Sequence, residues 1–402
     1  MAEIAEPAVV RRASIKDAPR AHAPPANAHN ALTPLAEISA PQWRALSEHA
    51  IEPNGYYLPE WELAVNASAR ERVGASALSA WSDAAKLIGL VPVIPMWRAY
   101  KVPLPVLVSA DPYGTLCTPL LDRDVAEEAA ARILQNARQA GARALIFPAV
   151  SLDGAAMTAF TEVLRRDGMQ PRVLQSHVRA CLDASGDADE VLRDALGAKK
   201  LKELRRQRNR LAEHGAVSFD VARTPGEIAA AVETFLMLEA SGWKGTRGTA
   251  LGLDAGDATF VRRATSALSA TGQCEVVMLR AGETPVAAAI VLRHQDRAFY
   301  FKLGVDERFA KLSPGVQLTL DLTRHLCADP AIRLVDSTAN PGHPMIDPIW
   351  RGRLAIGDVL IPLRRADPVV PLVLAALGLR KSIREPARRL VHFIRNRREK
   401  SS

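Results

Sequence analysis

Hydrophobic and polar residues alternate in three neighbouring segments of the second half of the chain, which is typical of half-buried strands. The predicted strands cover residues 275–280, 285–293 and 297–305. The turns between them, 281–283 and 294–296, are short enough to join the strands into an antiparallel meander. A helix beginning at Ser313 and a strand over 332–336 follow, and this last strand must pair in parallel with an earlier one.

The first half of the chain repeats this order of elements without repeating the sequence. Strands are predicted over 77–81, 87–97, 106–109, 145–147 and 172–181, and helices over 125–140 and 154–166. The second half adds helices over 192–213, 226–240 and 257–270 and a strand over 217–221. We therefore expect an α/β (α+β) protein with two similar domains, each a mixed, largely antiparallel sheet flanked by helices.

The expected division of the chain follows from these patterns and from composition. Residues 1–40 are rich in Ala and Pro and are predicted to be a disordered arm, with order beginning near Trp43. The domains are predicted over 41–185 and 186–363, and a tail covers 364–402.

Composition excludes several classes of protein. The four cysteines form no CxxC pair, so neither a disulfide framework nor a cysteine-based zinc site is expected. No apolar run reaches 18 residues, and the first ten residues lack the apolar core of a signal peptide. We expect a cytoplasmic protein without a metal cofactor.

Positive charge is concentrated at the C-terminal end of the chain. From Arg364 onward there are eleven Lys/Arg and three acidic residues, so the tail accounts for the whole net charge of +8. The remaining chain is neutral and gives no reason to expect a nucleic-acid-binding body.

The segment 297–336 holds the most informative pattern. Phe299, Phe301, Leu303 and Val305 are predicted to share one face of the strand, with Tyr300, Lys302 and Gly304 on the other. After the strand, Ser313 is a favoured N-cap and Pro314 suits the first helical position, while Gly315 lets a ligand approach the backbone. The free N–H groups of such a helix start can bind an anion such as a pyrophosphate.

Three further segments, together with this one, resemble the GNAT superfamily of acyl-CoA-dependent acyltransferases. They are Leu-Glu-Ala-Ser-Gly-Trp-Lys-Gly at 238–245, the stretch from Asp-Pro-Tyr-Gly at 111–114 to Thr-Pro-Leu-Leu at 118–121, and the basic run 199–210. Their order resembles the CelD/FemAB-like branch, which has two GNAT-like halves, and the resemblance covers about residues 56–363.

The resemblance implies a site for coenzyme A, in acetyl-CoA or a longer acyl-CoA, at the glycine-bearing helix start. The corresponding positions are Val305, Ser313, Pro314, Gly315, Val316 and Gln317. The fuller GNAT loop has an Arg or Gln followed by two glycines, whereas this sequence has Ala310 and Ser313 where the Arg/Gln and the first glycine would fall.

The resembled fold also implies that the strands ending at Val305 and Asp336 part to admit the donor. Asp336 first and Asp306 second are the candidates for the base that takes the proton of the acceptor amine. Each can equally be a loop-capping Asp.

Five more residues are candidates for binding the acceptor. Trp243 and Lys244 precede a Gly/Thr-rich loop, and Tyr300 and Lys302 are predicted to face the cleft together. His343 is a candidate proton shuttle in a turn with two prolines. The structural alternatives are that Trp243 lies in the core, that Tyr300 and Lys302 lie on a solvated sheet face, and that His343 belongs to a rigid turn.

The expected function is that of an acyl-CoA-dependent N-acyltransferase. The branch resemblance implies a small-molecule or lipid-linked amino sugar as acceptor, in cell-surface polysaccharide or envelope synthesis. Two alternatives remain: a FemAB-type transferase that uses aminoacyl-tRNA, and a non-catalytic, ligand-responsive regulator of envelope polysaccharide synthesis. The basic run 199–210 is either a solvated helix face or a nucleic-acid surface, and nucleic acid other than tRNA is not expected.

The tail offers a membrane hypothesis. Residues 368–379 form an apolar run too short to span a bilayer, and 380–398 have apolar residues at helical spacing among arginines. Residues 366–402 either attach the protein peripherally to an anionic inner membrane surface, or pack on the body and leave a solvated charged end.

Overall fold

The structure, a computed structural model, describes residues 31–242 and 248–382. The strands are β1 (Thr33–Pro34), β2 (Ser76–Trp81), β3 (Leu87–Pro95), β4 (Val106–Ser109), β5 (Leu120–Leu121), β6 (Ala144–Ser151), β7 (Arg172–Asp183), β8 (Val217–Ala222), β9 (Cys274–Ala281), β10 (Thr284–His294), β11 (Arg297–Val305), β12 (Leu334–Asp336) and β13 (Gly352–Pro362). The helices are α1 (Ala40–Glu48), α2 (Pro59–Ser68), α3 (Met96–Tyr100), α4 (Ala126–Gln139), α5 (Ala155–Arg166), α6 (Ala188–Ala212), α7 (Pro225–Ser241), α8 (Ala255–Ser269), α9 (Pro314–Cys327) and α10, which covers 369–382 up to the end of the described residues.

All the strands belong to one sheet, in the order β1-β2-β3-β4-β6-β13-β7-β12-β11-β10-β9-β8, with β5 beside β3. Every neighbouring pair is antiparallel except β4 with β6 and β11 with β12. The parallel pairs are joined through α4 and α9, which are the crossover helices that parallel pairing requires. The predicted fold class, a mixed and largely antiparallel sheet with flanking helices, is confirmed.

The two halves exchange strands. β13, from the end of the second predicted domain, lies between β6 and β7 of the first and pairs with both. At its other end β7 pairs with β12, so it links the two halves of the sheet. Strands from both sides of the predicted boundary near 185 therefore pair within one continuous sheet.

Order begins earlier than the predicted arm of 1–40 allows. Residues 33–34 pair with β2, and Leu35 and Ile38 are buried in the core under the first half. The burial of Leu35 and Ile38 stabilises this segment. The Ala/Pro-rich composition of residues 1–40 gives no sign of these two buried side chains. A second correction concerns the predicted strand 87–97, which ends at Pro95 because α3 begins at Met96.

Both faces of the second half are covered by helices. α7 and α8 pack on one face together with α2 of the first half, and α9 packs on the other with the buried side of α6. The start of α7 is a complete capping box between Thr224 and Glu227. None of the described helices is long and apolar enough to cross a bilayer.

Candidate active site

The parallel strands β11 and β12 separate after three residues of pairing. Their contact runs from Arg297 opposite Leu334 to Phe299 opposite Asp336, where β12 ends while β11 continues to Val305. Beyond this point no described strand lies beside β11 on the side that β12 has left. The predicted parting of these two strands is present, and it opens a slot at their carboxyl ends.

The first turn of α9 borders the slot. Pro314 and Gly315 begin the helix and are buried, and a Cβ atom on Gly315 would lie 2.9 Å from Cδ2 of Leu303 in β11. Glycine therefore lets the helix start lie directly against the strand. The amides of Gly315 and Val316 belong to the first turn, where no preceding helical carbonyl can accept their hydrogen bonds.

Ser313 occupies the predicted N-cap position in an unexpected conformation. Its φ of 54° and ψ of 52° are left-handed, and its side chain makes no capping hydrogen bond. The Gln317 amide donates to the backbone carbonyl of Ser313 (3.0 Å). The cap is thus formed by the backbone alone, and the Ser313 side chain lies at the slot.

A cavity of about 620 Å³ fills the space between the parted strands. Its lining includes eight of the sequence-predicted residues, namely Tyr300, Lys302, Val305, Ser313, Pro314, Gly315, Val316 and His343. The loop after β12 contributes Ser337, Thr338 and Asn340. No carboxylate belongs to this lining among the described residues.

A β-bulge in β11 changes which side chains share a face. Ile290 of β10 is opposite Lys302 and Val291 is opposite Tyr300, so Phe301 is the extra residue. The prediction that Tyr300 and Lys302 share a face is wrong, because the bulge inverts the alternation. Tyr300 packs towards α9, while the Lys302 ammonium lies 3.5 Å from a carboxylate oxygen of Glu239 in α7.

The first half completes the cavity. Tyr56 and the segment 113–115 form part of its wall, although no functional role for them was predicted from the sequence. A Cβ on Gly114 would lie 2.4 Å from the Tyr56 ring, so only glycine permits this close approach. The Asp-Pro-Tyr-Gly segment at 111–114 was the available signal, but nothing local shows that it reaches the other half.

Tyr56 presents an unusual polar atom. Its side chain is fully buried between Trp61 and Phe299, and its hydroxyl lies near the Thr338 side chain without a well-formed hydrogen bond. Burial raises the pKa of this phenol above its ordinary value, so it stays protonated at neutral pH. It is therefore available as a hydrogen-bond donor beside the cavity.

Asp336 lies beneath the cavity and is fully occupied. One carboxylate oxygen accepts the Thr338 amide (2.9 Å) and the other is ion-paired with Arg179 of β7. Arg179 also donates to the carbonyl of Thr115 (2.6 Å), and the Thr338 hydroxyl donates to the carbonyl of Tyr300 (2.6 Å). The base role of Asp336 stays a prediction, and these surroundings favour a structural role instead.

Asp306, the second candidate base, is likewise engaged. It accepts hydrogen bonds from the backbone and the guanidinium of Arg308, and these bonds hold the pKa of its carboxyl below the ordinary value. It lies outside the cavity lining, at the start of the 3₁₀ turn that leads to α9. A carboxylate so stabilised is a weak proton acceptor, so its surroundings also disfavour the predicted role.

The remaining candidate residues have distinct placements. Gln317 is buried and donates to the carbonyl of Leu204 in α6 (2.8 Å), so its side chain braces two helices and lies outside the cavity. The His343 Nδ1 accepts from the amides of Met345 (3.3 Å) and Ile346 (3.4 Å), which leaves the proton of the neutral ring on Nε2. Trp243 and Lys244 lie outside the described residues.

One cluster in the described ranges has side chains close enough to hold a metal ion: His49, Asp122 and Asp124. It lies away from the cavity, and Lys86 already forms an ion pair with the buried Asp122 (2.6 Å). The Lys86 ammonium thus occupies the side of the cluster where a cation would bind.

The comparisons with known proteins agree with this geometry. The family model described as "Acetyltransferase (GNAT) domain" matches residues 198–341, which contain β11, α9 and β12. Residues 198–341 therefore belong to the GNAT superfamily. Both the predicted family and the predicted class of enzyme, an acyltransferase, are confirmed, and a GNAT domain implies in general the use of acyl-CoA.

Two solved structures share the fold over most of this chain. The crystal structure of FemX has a TM-score of 0.55 at 12% identity and covers 84% of this chain and 99% of its own. The C-terminal domain of a protein described as a lysylphosphatidylglycerol synthetase from Agrobacterium fabrum has a TM-score of 0.51 at 12% identity, covering 84% and 96%. A search among curated proteins finds no match.

Proposed function

We propose that this GNAT protein transfers an acyl group from acyl-CoA to an amino sugar, at the cavity between β11 and β12. The observation that carries the proposal is the parting of the two strands directly beside the first turn of α9. An extended thioester donor fits along the uncovered edge of β11, with its pyrophosphate at the amides of Gly315 and Val316.

The reaction needs little from side chains. The amine nitrogen attacks the thioester carbonyl, a C–N bond forms, the C–S bond breaks, and coenzyme A leaves as its thiol. The uncovered backbone of β11 polarises the carbonyl. The Tyr56 hydroxyl, which retains its proton, can donate a hydrogen bond to the departing sulfur, and the thiolate takes its proton from water. The proton lost by the amine passes to water, since no described lining residue is a carboxylate.

Polar groups at the wall of the cavity support a hydroxyl-rich acceptor. Thr115, Ser337, Asn340 and Lys302 offer hydroxyl, amide and ammonium groups together. The His343 ring borders the same wall. This chemistry suits an amino sugar, and we place the reaction in cell-surface polysaccharide or envelope synthesis, with a soluble or lipid-linked acceptor.

A negative charge introduced at the start of α9 tests the donor site. Val316→Glu puts a carboxylate where the pyrophosphate would bind, while the helix dipole tolerates an acid in the first turn. We expect acetyl-CoA affinity, measured by calorimetry, to fall about tenfold or more through like-charge repulsion. The matched control Val316→Gln should stay near wild type. Equal affinities for both variants would refute the donor site.

A second candidate function rests on α6. Six exposed cations of this helix have no ion-pair partner among the described residues: Arg193, Lys199, Lys202, Arg205, Arg206 and Arg210. Gln317 of α9 donates a hydrogen bond to the carbonyl of Leu204 in this helix. The cationic surface therefore lies close to the start of α9, where we propose that the donor binds. An aminoacyl-tRNA donor would use it, and binding of charged tRNA with a steep salt dependence, without protection by acyl-CoA, would favour that function.

A further inference from the structure

Helix α10, at the end of the described chain, is held firmly on the first half. Asp367 caps it by accepting the Val369 amide (2.9 Å), and Pro368 follows at a position that suits a helix start. The Asp367 carboxylate also pairs with Arg143 (2.5 Å), which lowers its pKa. The helix is therefore a fixed part of the surface.

One face of α10 is buried. Val370 and Val373 belong to a core cluster with Met96, Val106 and Leu360, which come from α3, β4 and β13. At the other end of the helix, the Arg380 guanidinium lies 5.1 Å from the centre of the Tyr100 ring. These contacts bury the valines of the helix, whereas Leu372 and Leu379 take no part in them.

The opposite face of α10 is exposed, apolar and uncharged. Its residues recur at helical spacing and are Pro371, Leu372, Ala375, Gly378 and Leu379. Leu372 is 56% exposed and Leu379 64% exposed, which are among the largest exposures of apolar side chains in the described chain.

Cations lie at both ends of this apolar face. Arg172, Arg364 and Arg365 line a groove with Pro368 and Pro371 at the start of the helix. Lys101 and Lys381 are exposed near its far end. The sequence continues through 383–402 with seven Lys/Arg and two acidic residues. Cations at both ends of an apolar strip match a lipid surface that has anionic headgroups and an apolar interior.

We propose that the exposed face of α10 docks on the surface of an anionic lipid bilayer. Leu372 and Leu379 would enter the boundary between headgroups and acyl chains, with the flanking cations at the phosphates. A second copy of this chain is disfavoured as the occupant, because the cations at both ends of the strip would repel their own copies. The proposal goes beyond the proposed acyl transfer and does not depend on it.

The test is sedimentation of the full chain with vesicles. We expect binding to phosphatidylcholine vesicles that contain phosphatidylglycerol, loss of this binding at high salt, and no binding to pure phosphatidylcholine. Leu372→Glu/Leu379→Glu should lower the partition coefficient about tenfold or more, since each change replaces an inserting leucine with a charge. Leu253→Glu is the control, because Leu253 is equally exposed (56%) on a different part of the surface.

Three outcomes would overturn the proposal. The first is unchanged vesicle binding of the double variant, with binding lost only when residues 383–402 are deleted. The second is no vesicle binding by the wild-type chain at low salt. The third is a wild-type dimer in light scattering that the double variant converts to a monomer without any vesicle binding. Unchanged melting temperatures for both variants, expected for exposed positions, would show that folding is not the cause.

Discussion

Arg179 and Asp336 form an ion pair in which each side chain is only 1% exposed, directly beneath the candidate active site. Arg179 comes from β7 of the first half and Asp336 from the end of β12 in the second. The pair therefore joins the halves at the point where β11 and β12 part. Through Thr115 and Thr338 it also fixes two walls of the cavity.

Removing one charge of this pair should destabilise the protein. We expect Asp336→Asn to lower the free energy of unfolding by roughly 3–5 kcal/mol, because it leaves a buried guanidinium without its partner. Arg179→Met/Asp336→Leu removes both charges and should recover part of that loss in denaturant titrations. The pH profile of the remaining activity should keep its shape. A stable Asp336→Asn variant with turnover at least about 100-fold lower and an altered pH profile would instead support the base role.

His294 predicts a pH dependence of stability. The ring is buried, with Nδ1 accepting the Asn54 amide (2.9 Å) and Nε2 lying 2.8 Å from the Ser47 carbonyl, so it spans the two halves. Burial lowers its pKa from 6.5 to about 4. Between these values the unfolded chain binds the proton more readily, so this contribution is complete above pH 6.5 and is lost as pH falls towards 4.

The size of this effect is roughly 3 kcal/mol, from about 1.4 kcal/mol per pKa unit. The measurement is the free energy of unfolding between pH 4.5 and 7.5 for wild type and His294→Gln. We expect the variant to be less stable at pH 7.5 and to show a shallower decrease towards low pH. Parallel curves for the two proteins would contradict the assignment to His294.

The strand exchange predicts that the first half does not fold alone. Residues 31–185 lack β13, which separates β6 from β7 in the sheet, so both strands would keep an unpaired edge. We expect this fragment to give no cooperative thermal transition in circular dichroism. Co-expression with residues 186–402 should restore a folded complex, and a fragment that melts cooperatively by itself would support the boundary near 185.

The cations of α6 distinguish the two candidate donors. If the donor is acyl-CoA held at α9, Lys202→Glu/Arg206→Glu should change the Michaelis constant for acetyl-CoA by less than about threefold, since exposed charges are screened. Turnover should be insensitive to added tRNA. Loss of activity in this variant together with competition by charged tRNA would favour the aminoacyl-tRNA donor.

Much of the candidate site was predictable from the sequence, because its main elements are local. The alternation in β11, the Ser-Pro-Gly start of α9 and the short strand β12 lie within about forty residues, and their order carries the family resemblance. Local hydrogen bonding and side-chain periodicity determine such elements. The order of these elements follows from the sequence, while the donor-binding role of residues 313–317 stays a prediction.

The sequence by itself thus determined the fold class, the two similar halves and the slot between β11 and β12. Tertiary structure decided which side chains meet there. The bulge at Phe301 places Lys302 on a different face from Tyr300, and Asp336 forms a buried ion pair with Arg179 from the other half. Tyr56 and the exchanged strand β13 reach their places across the junction of the halves. Local pattern cannot specify these contacts, because they join residues far apart in the chain and depend on how two packed surfaces fit together.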